Sequence, residues 1–244
     1  MFRLLLISIL VAGVVSPAAE AAKASSAKVT KKKKQKRKAK DNRTPTKSTK
    51  ANMPRGFVWP PNRTMEAMAD ECQAKLDEQG IAYEPAEAKG RVLRPMLPQA
   101  ELGGITYTAV YSKNQVFDCQ LVLALATFSP QLYDLGVREV RFGSAFRWSK
   151  VRVGGKTKNI LSRHALGIAM DIVSFVDDQG VDHNVKHDYK AGDELLHDIE
   201  RTVNDSGQFR LLLTPKNDPK SHSDHFHLEA NPDYTAEVTP RPSS

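Results

Sequence analysis

Thiols are scarce in this chain: Cys72 and Cys119 are the only two in 244 residues. Two cysteines exclude both a disulfide-stapled mini-fold and a four-thiolate zinc site. Beyond residue 15 there is no apolar run approaching the roughly 20 residues needed to span a bilayer. Histidine is missing from the first 163 residues, and all seven lie between His164 and His227. Acids are nearly missing from residues 23–55, where fourteen Lys and Arg face the single Asp41. The formal charge of +8 comes from that stretch, because residues 56–244 hold 21 bases against 26 acids. An acidic body offers no folded groove for phosphates, so no dedicated nucleic acid partner is expected.

Residues 1–22 read as an export signal. Arg3 supplies a positive start, residues 4–15 a short apolar run, Pro17 a helix break, and Ala19 and Ala21 the small residues of a cleavage site. The expected protein is therefore exported, periplasmic or extracellular. Residues 23–57 read as a disordered Lys-rich linker, since like charges repel and Pro45 and Pro54 interrupt any helix. Residues 23–55 can contact an anionic polymer or a membrane surface, or serve only as a solvated spacer. One domain is expected over residues 58–235, as a monomer, followed by a disordered tail at 236–244.

Within that domain Thr64 is positioned to cap a helix over residues 65–78, striped by Met65, Met68, Ala69, Cys72 and Leu76. Residues 105–110 alternate as a strand, and 121–135 read as a buried helix that Pro130 splits or bends. Residues 140–142 and 145–148 suggest an interrupted strand, and 168–175 another. A helix is expected over 193–203, then short strands over 209–213 and 225–228. Residues 148–158 and 177–193 read as loops, with His183, His187 and Asp188 on the surface. No regular βαβ rhythm emerges, so the fold class is α+β: a small central antiparallel sheet with flanking helices. Export makes a Cys72–Cys119 disulfide the expected state, worth about 3–4 kcal/mol; the alternative is two buried, unpaired thiols.

The chemistry concentrates in two segments. Three histidines fall within six positions, His222, His225 and His227, and a fourth heads His164-Ala165-Leu166-Gly167-Ile168-Ala169-Met170-Asp171. Gly167 permits a turn that brings His164 alongside Asp171 on the following strand. His225 and His227, at i and i+2, share a strand face, with Phe226 turned to the core. If the two strands pair, two imidazoles and a carboxylate converge on one cation, leaving its fourth position open, which describes a catalytic zinc site. On residue physics alone the third ligand is either His225 or His227.

Ser162-Arg163-His164-x-x-Gly167-x-Ala169-x-Asp171 resembles the SxHxxGxAxD signature of zinc D-Ala-D-Ala peptidases, and His225-Phe226-His227 resembles their closing HxH element. The likeness is nearest to the extensin-like C-terminal family, grouped with the penicillin-insensitive murein endopeptidase, lysostaphin-type enzymes and the Hedgehog amino-terminal domain. Ser144-Ala145-Phe146-Arg147 and Leu213-Thr214-Pro215 with Asn217 add to it. Extensin-like sequences usually carry more cysteines, so their disulfide pattern does not transfer whole. The resemblance implies a Hedgehog/D-Ala-D-Ala-peptidase-like fold, Zn2+ held by His164, Asp171 and His227, and a peptidoglycan peptide as substrate. It places His225 beside the metal and His222 as the base, with Asp224 and Glu229 as alternatives. Arg147 is the implied oxyanion partner, Arg163 a candidate for a substrate carboxylate, and Ser162 a substrate contact or a support for His164. The expected activity is hydrolysis of stem peptides or cross-links. The competing reading is a zinc-stabilised binding module.

Overall fold

The computed structural model describes residues 52–99, 101–111 and 115–236. The expected export signal, nearly all of the Lys-rich linker and the tail after Ala236 lie outside these residues. The described part of the linker belongs to the fold: Met53 and Phe57 pack against the core, and Asn52 Nδ2 donates to Leu161 O at 3.1 Å.

Helix α1 (Arg63–Glu78) is capped by Asn62 rather than Thr64. Asn62 keeps an extended backbone and its Oδ1 accepts from Met65 N at 3.0 Å, whereas Thr64 already lies inside the first turn. Met65, Ala69, Cys72 and Leu76 form the buried stripe. Five short strands follow: β1 (Tyr83–Pro85), β2 (Pro95–Pro98), β3 (Glu101–Leu102), β4 (Ile105–Ala109) and β5 (Phe117–Asp118). Helix α2 (Cys119–Asp134) starts at Asp118, whose Oδ1 accepts from Gln120 N while Oδ2 accepts from Leu93 N and Arg94 N, both at 2.9 Å. Pro130 sits inside α2 without splitting it. Strands β6 (Val137–Ser144), β7 (Lys150–Val153) and β8 (Lys156–Leu161) lead to a 3-10 turn at Arg163–Leu166. Then come β9 (Ala169–Asp177), β10 (Asp182–Asn184), a 3-10 turn at Tyr189–Ala191, α3 (Glu194–Asp205), β11 (Phe209–Leu213) and β12 (Phe226–Ala230).

Among the described residues the fold mixes three helices with a seven-stranded sheet in the order β11-β12-β9-β6-β4-β3, with β10 paired to β9, beside three-stranded and two-stranded sheets. The main sheet is neither small nor wholly antiparallel, because β4 pairs with β6 in parallel. The physical reason is α2, which returns the chain between these strands and forms the one crossover the sequence rhythm does not reveal. Phe128, Phe175 and Phe226 are among the largest fully buried side chains, and every residue of β12 is buried. Cys72 and Cys119 form a disulfide joining α1 to the first residue of α2. It is the state expected of the pair.

Two expected loops contain strands, the β7–β8 hairpin and β10, while residues 145–148 leave the sheet instead of continuing it. His183 is not a surface residue. Its side chain is 15% exposed, with Nδ1 2.7 Å from Asp193 Oδ2 and Nε2 3.3 Å from Asp177 Oδ2. Partial burial works to lower its pKa, but the hydrogen bonds to Asp193 and Asp177 outweigh that and raise it. A raised folded value stabilises fully below the unfolded value near 6.5 and is lost as pH rises through the folded one. A His183→Gln protein should therefore be about 1 kcal/mol less stable than wild type at pH 5.5. The gap should close at alkaline pH in urea melts; a constant gap would contradict the ion pair.

Candidate metal centre

The interior strands β9 and β12 pair antiparallel with His227 directly opposite Asp171. Ser162 begins the 3-10 turn, its Oγ accepting from His164 N at 3.3 Å, and Gly167 ends it in the left-handed region at φ 68°. This reversal swings His164 back over the start of β9. A Cβ at Gly167 would lie 2.8 Å from Asp118 N, so the position demands glycine on two counts. Gly167→Ala should lower the unfolding free energy measured in denaturant melts by about 2–3 kcal/mol. A loss below 0.5 kcal/mol would mean that the turn relaxes.

Three atoms converge. His164 Nε2 is 3.0 Å from Asp171 Oδ1 and 3.2 Å from His227 Nδ1, and His227 Nδ1 is 2.8 Å from Asp171 Oδ1. Tetrahedral coordination at zinc bond lengths sets ligand atoms about 3.3 Å apart, so the triangle needs only a few tenths of an ångström of expansion. All three residues are buried and together can hold a metal ion.

The surrounding groups fix which nitrogen faces inward. His164 Nδ1 donates to Ala145 O at 2.9 Å, leaving the Nε2 lone pair aimed at Asp171. His227 Nε2 donates to Glu229 Oε1 at 3.1 Å, leaving Nδ1 aimed at Asp171 Oδ1. Outer partners of this kind orient metal-binding imidazoles. Electron-rich atoms facing one another at 3 Å call for positive charge between them, and the electrostatics agree. Burial lowers the His164 pKa and works against ionisation of Asp171, yet the facing imidazoles hold that carboxyl well below its ordinary value. Burial also opposes charge on His227, but hydrogen bonds to Asp171 and Glu229 push its pKa up to about 9, so without a metal a proton takes the place between Nδ1 and Asp171 Oδ1. The donor set fits a divalent ion.

A family model described as extensin-like protein C-terminus matches residues 70–238. The chain belongs to the extensin-like protein C-terminal family. No curated protein and no solved structure matches it. The matched span contains all three converging side chains, the turn and two strands that carry them, and the disulfide, so the extensin-like domain is the unit that builds this centre.

The other candidate residues divide by position. Arg147 and Ser144 reach the outer oxygen of Asp171, at 2.7 Å and 2.9 Å to Oδ2, and Arg147 remains 47% exposed. His225 precedes β12 rather than lying on it. Its Nδ1 donates to Asp224 Oδ1 at 2.7 Å, and its Nε2, 3.6 Å from Asp171 Oδ1, has no hydrogen-bond partner among the described residues. His222 is buried and donates from Nδ1 to Asp218 Oδ2 at 3.0 Å. Burial and the neighbouring His227 and His225 lower its pKa to about 4, so it is neutral near pH 7.

Arg163 is not available to hold a substrate carboxylate. It is 2% exposed, with Nε bonded to Asn52 O and Nη1 to Ala230 O, and it faces Glu229 at 3.4 Å. Glu229 is likewise no base: it is buried behind His227, paired also with Arg210, and held ionised against the cost of burial. Ser162 supports His164. Sequence reasoning missed Asp218 behind His222 and the Ala145 carbonyl behind His164. Asp218 carries no motif, and a backbone oxygen carries no side-chain signal at all.

Two clefts of about 460 and 700 Å³ flank the centre and share Arg147, Arg152, Ser221 and His225. His222 and His227 open into the first, Asp171 and Asp224 into the second.

Proposed function

We propose that this extensin-like protein is an exported, zinc-dependent peptidase that hydrolyses stem peptides or cross-links of peptidoglycan, related in site and fold to the zinc D-Ala-D-Ala peptidases. The observation that carries the reading is the 2.8–3.2 Å triangle of His164 Nε2, Asp171 Oδ1 and His227 Nδ1, open to clefts on both sides. The disulfide supports export. Among the described residues no helix is long and apolar enough to cross a membrane. The Lys-rich residues 23–55 would add contact with anionic wall polymers.

When bound, zinc supplies Lewis acidity, polarising the scissile carbonyl and acidifying water. The remaining work falls to side chains. His225 takes the proton of the attacking water at Nε2 and returns it to the departing amine, while Asp224 steadies the imidazolium at Nδ1. The sequence put His222 first as base. Geometry favours His225, whose free nitrogen is the nearer to Asp171. Neutral His222 lines the same wall and accepts hydrogen bonds from substrate or water. Arg147 is the cation placed to meet negative charge on the carbonyl oxygen, a role worth about 3 kcal/mol in comparable sites.

Purified muropeptides incubated with zinc-loaded protein and analysed by mass spectrometry should show peptide-bond cleavage that chelation abolishes and Arg147→Ala slows by about 100-fold. Stoichiometric zinc with no cleavage would leave a zinc-stabilised binding module instead. Cleavage undiminished in His225→Ala and His222→Ala proteins would remove both from the mechanism.

A further inference from the structure

Charge is distributed unevenly around the centre. The β7–β8 hairpin carries Lys150, Arg152, Lys156 and Lys158 and no acid, although residues 56–244 otherwise hold 17 bases against 26 acids. All four cations are exposed, and none of their side chains makes a hydrogen bond or ion pair among the described residues. Several arginines elsewhere are engaged: Arg94 faces Asp70, Arg138 faces Asp178, Arg141 faces Glu139 and Asp182. Four like charges on one short hairpin repel one another, so their grouping costs stability unless a ligand offsets it.

The hairpin is also fixed beside the centre. Gly154 and Gly155, at φ 57° and 78°, make the two-residue turn that requires positive φ at both positions. Gly155 N donates to Ser221 Oγ at 2.9 Å and Gly154 N to Asp218 Oδ1 at 3.3 Å, the same Asp218 whose other oxygen holds His222. Lys150 lines the cleft into which His222 and His227 open, and Arg152 lines both clefts. Arg163, the residue that sequence suggested for a substrate carboxylate, is buried against Glu229.

We infer that the β7–β8 hairpin is the anion-recognition arm of the cleft, and that the substrate is a peptide bearing a free carboxylate that Arg152 and Lys150 bind beside the scissile bond. This deepens the peptidase reading and rests on it for the word substrate alone. A cleft of about 460 Å³ is of a size to take a short peptide. An arginine and a lysine on its wall give a carboxylate one forked and one point-like partner.

The test measures binding, not turnover. Two fluorescently labelled stem tetrapeptides, identical except that one has free carboxylates and the other has all of them amidated, are titrated into the full chain by anisotropy. Wild type and the Lys150→Glu/Arg152→Glu variant are compared, with and without chelator. The full chain contributes residues 23–55 equally to both proteins. The expected result is about 10- to 100-fold weaker binding of the free acid by the variant. Binding of the amidated peptide and zinc stoichiometry should be unchanged. Arg152→Gln, which adds no repulsion, should give a smaller loss of the same kind. Equal losses for both peptides, no loss for the free acid, or no binding of either peptide by wild type would overturn the inference. So would a variant defect confined to a phosphate polymer such as polyphosphate. Acid-selective binding without cleavage would keep the arm and discard the peptidase.

Discussion

A His227→Ala protein should retain no stoichiometric zinc and cleave no muropeptide above the chelated background, as read by metal analysis and mass spectrometry. The change removes one of three converging atoms and takes one of its three partners from Glu229, which is buried between His227, Arg163 and Arg210. A subtler variant separates holding the metal from orienting its ligand. Glu229→Gln preserves volume but leaves one amide oxygen to serve both His227 Nε2 and the two arginines, so the hydrogen bond that orients the inner nitrogen is weakened or lost. Zinc affinity, measured by chelator competition, should fall about 10- to 100-fold. Because the two arginines would then face a neutral amide, stability should fall as well, by about 3 kcal/mol. Unaltered zinc affinity in Glu229→Gln would show that a charged acceptor is not needed to orient the imidazole.

The second large effect concerns stability. Cys72 and Cys119 close a loop with a sequence separation of 47. In the chain-entropy model, losing that constraint costs about 3–4 kcal/mol. For a domain of this size the Cys72→Ser/Cys119→Ser protein should melt about 10 °C lower than wild type. The constraint joins α1 to the start of α2, beside Asp118, whose carboxylate pins residues 93 and 94 and whose N donates to Gly167 O at 2.9 Å, contacts that hold without the sulfurs. Zinc stoichiometry should therefore survive at temperatures where the variant is folded. Loss of zinc at 20 °C would mean that the centre depends on α1 more directly than the contacts indicate.

Much of the centre was legible because its geometry is local or periodic. Gly167 between His164 and Asp171 signals a reversal, and β9 and β12 place Asp171 and His227 by simple strand pairing. The helices α1, α2 and α3 follow from apolar stripes, with errors only at their caps and at Pro130. What failed to show has identifiable physical causes. Strands β7, β8 and β10 carry charged, mostly exposed residues, so no alternation marks them. The parallel β4–β6 pair is a tertiary outcome of α2, not a sequence pattern. Arg163 looked free beside a ligand because its partner Glu229 lies 66 residues away, joined only when β12 enters the sheet. His225 and His222 were both visible as candidates, but their order depended on one unbonded nitrogen.

Arg55 and Asp233 form a parallel bridge, and Tyr234 N donates to Arg55 O at 2.9 Å. The entrance to the described domain and its exit are thus neighbours. A domain with adjoining termini can be spliced as a cassette into a surface loop of a carrier protein, or rejoined end to end and reopened at the turn between β9 and β10, where Gly180 N donates to Asp177 O at 3.1 Å. Neither rearrangement would part β9 from β12.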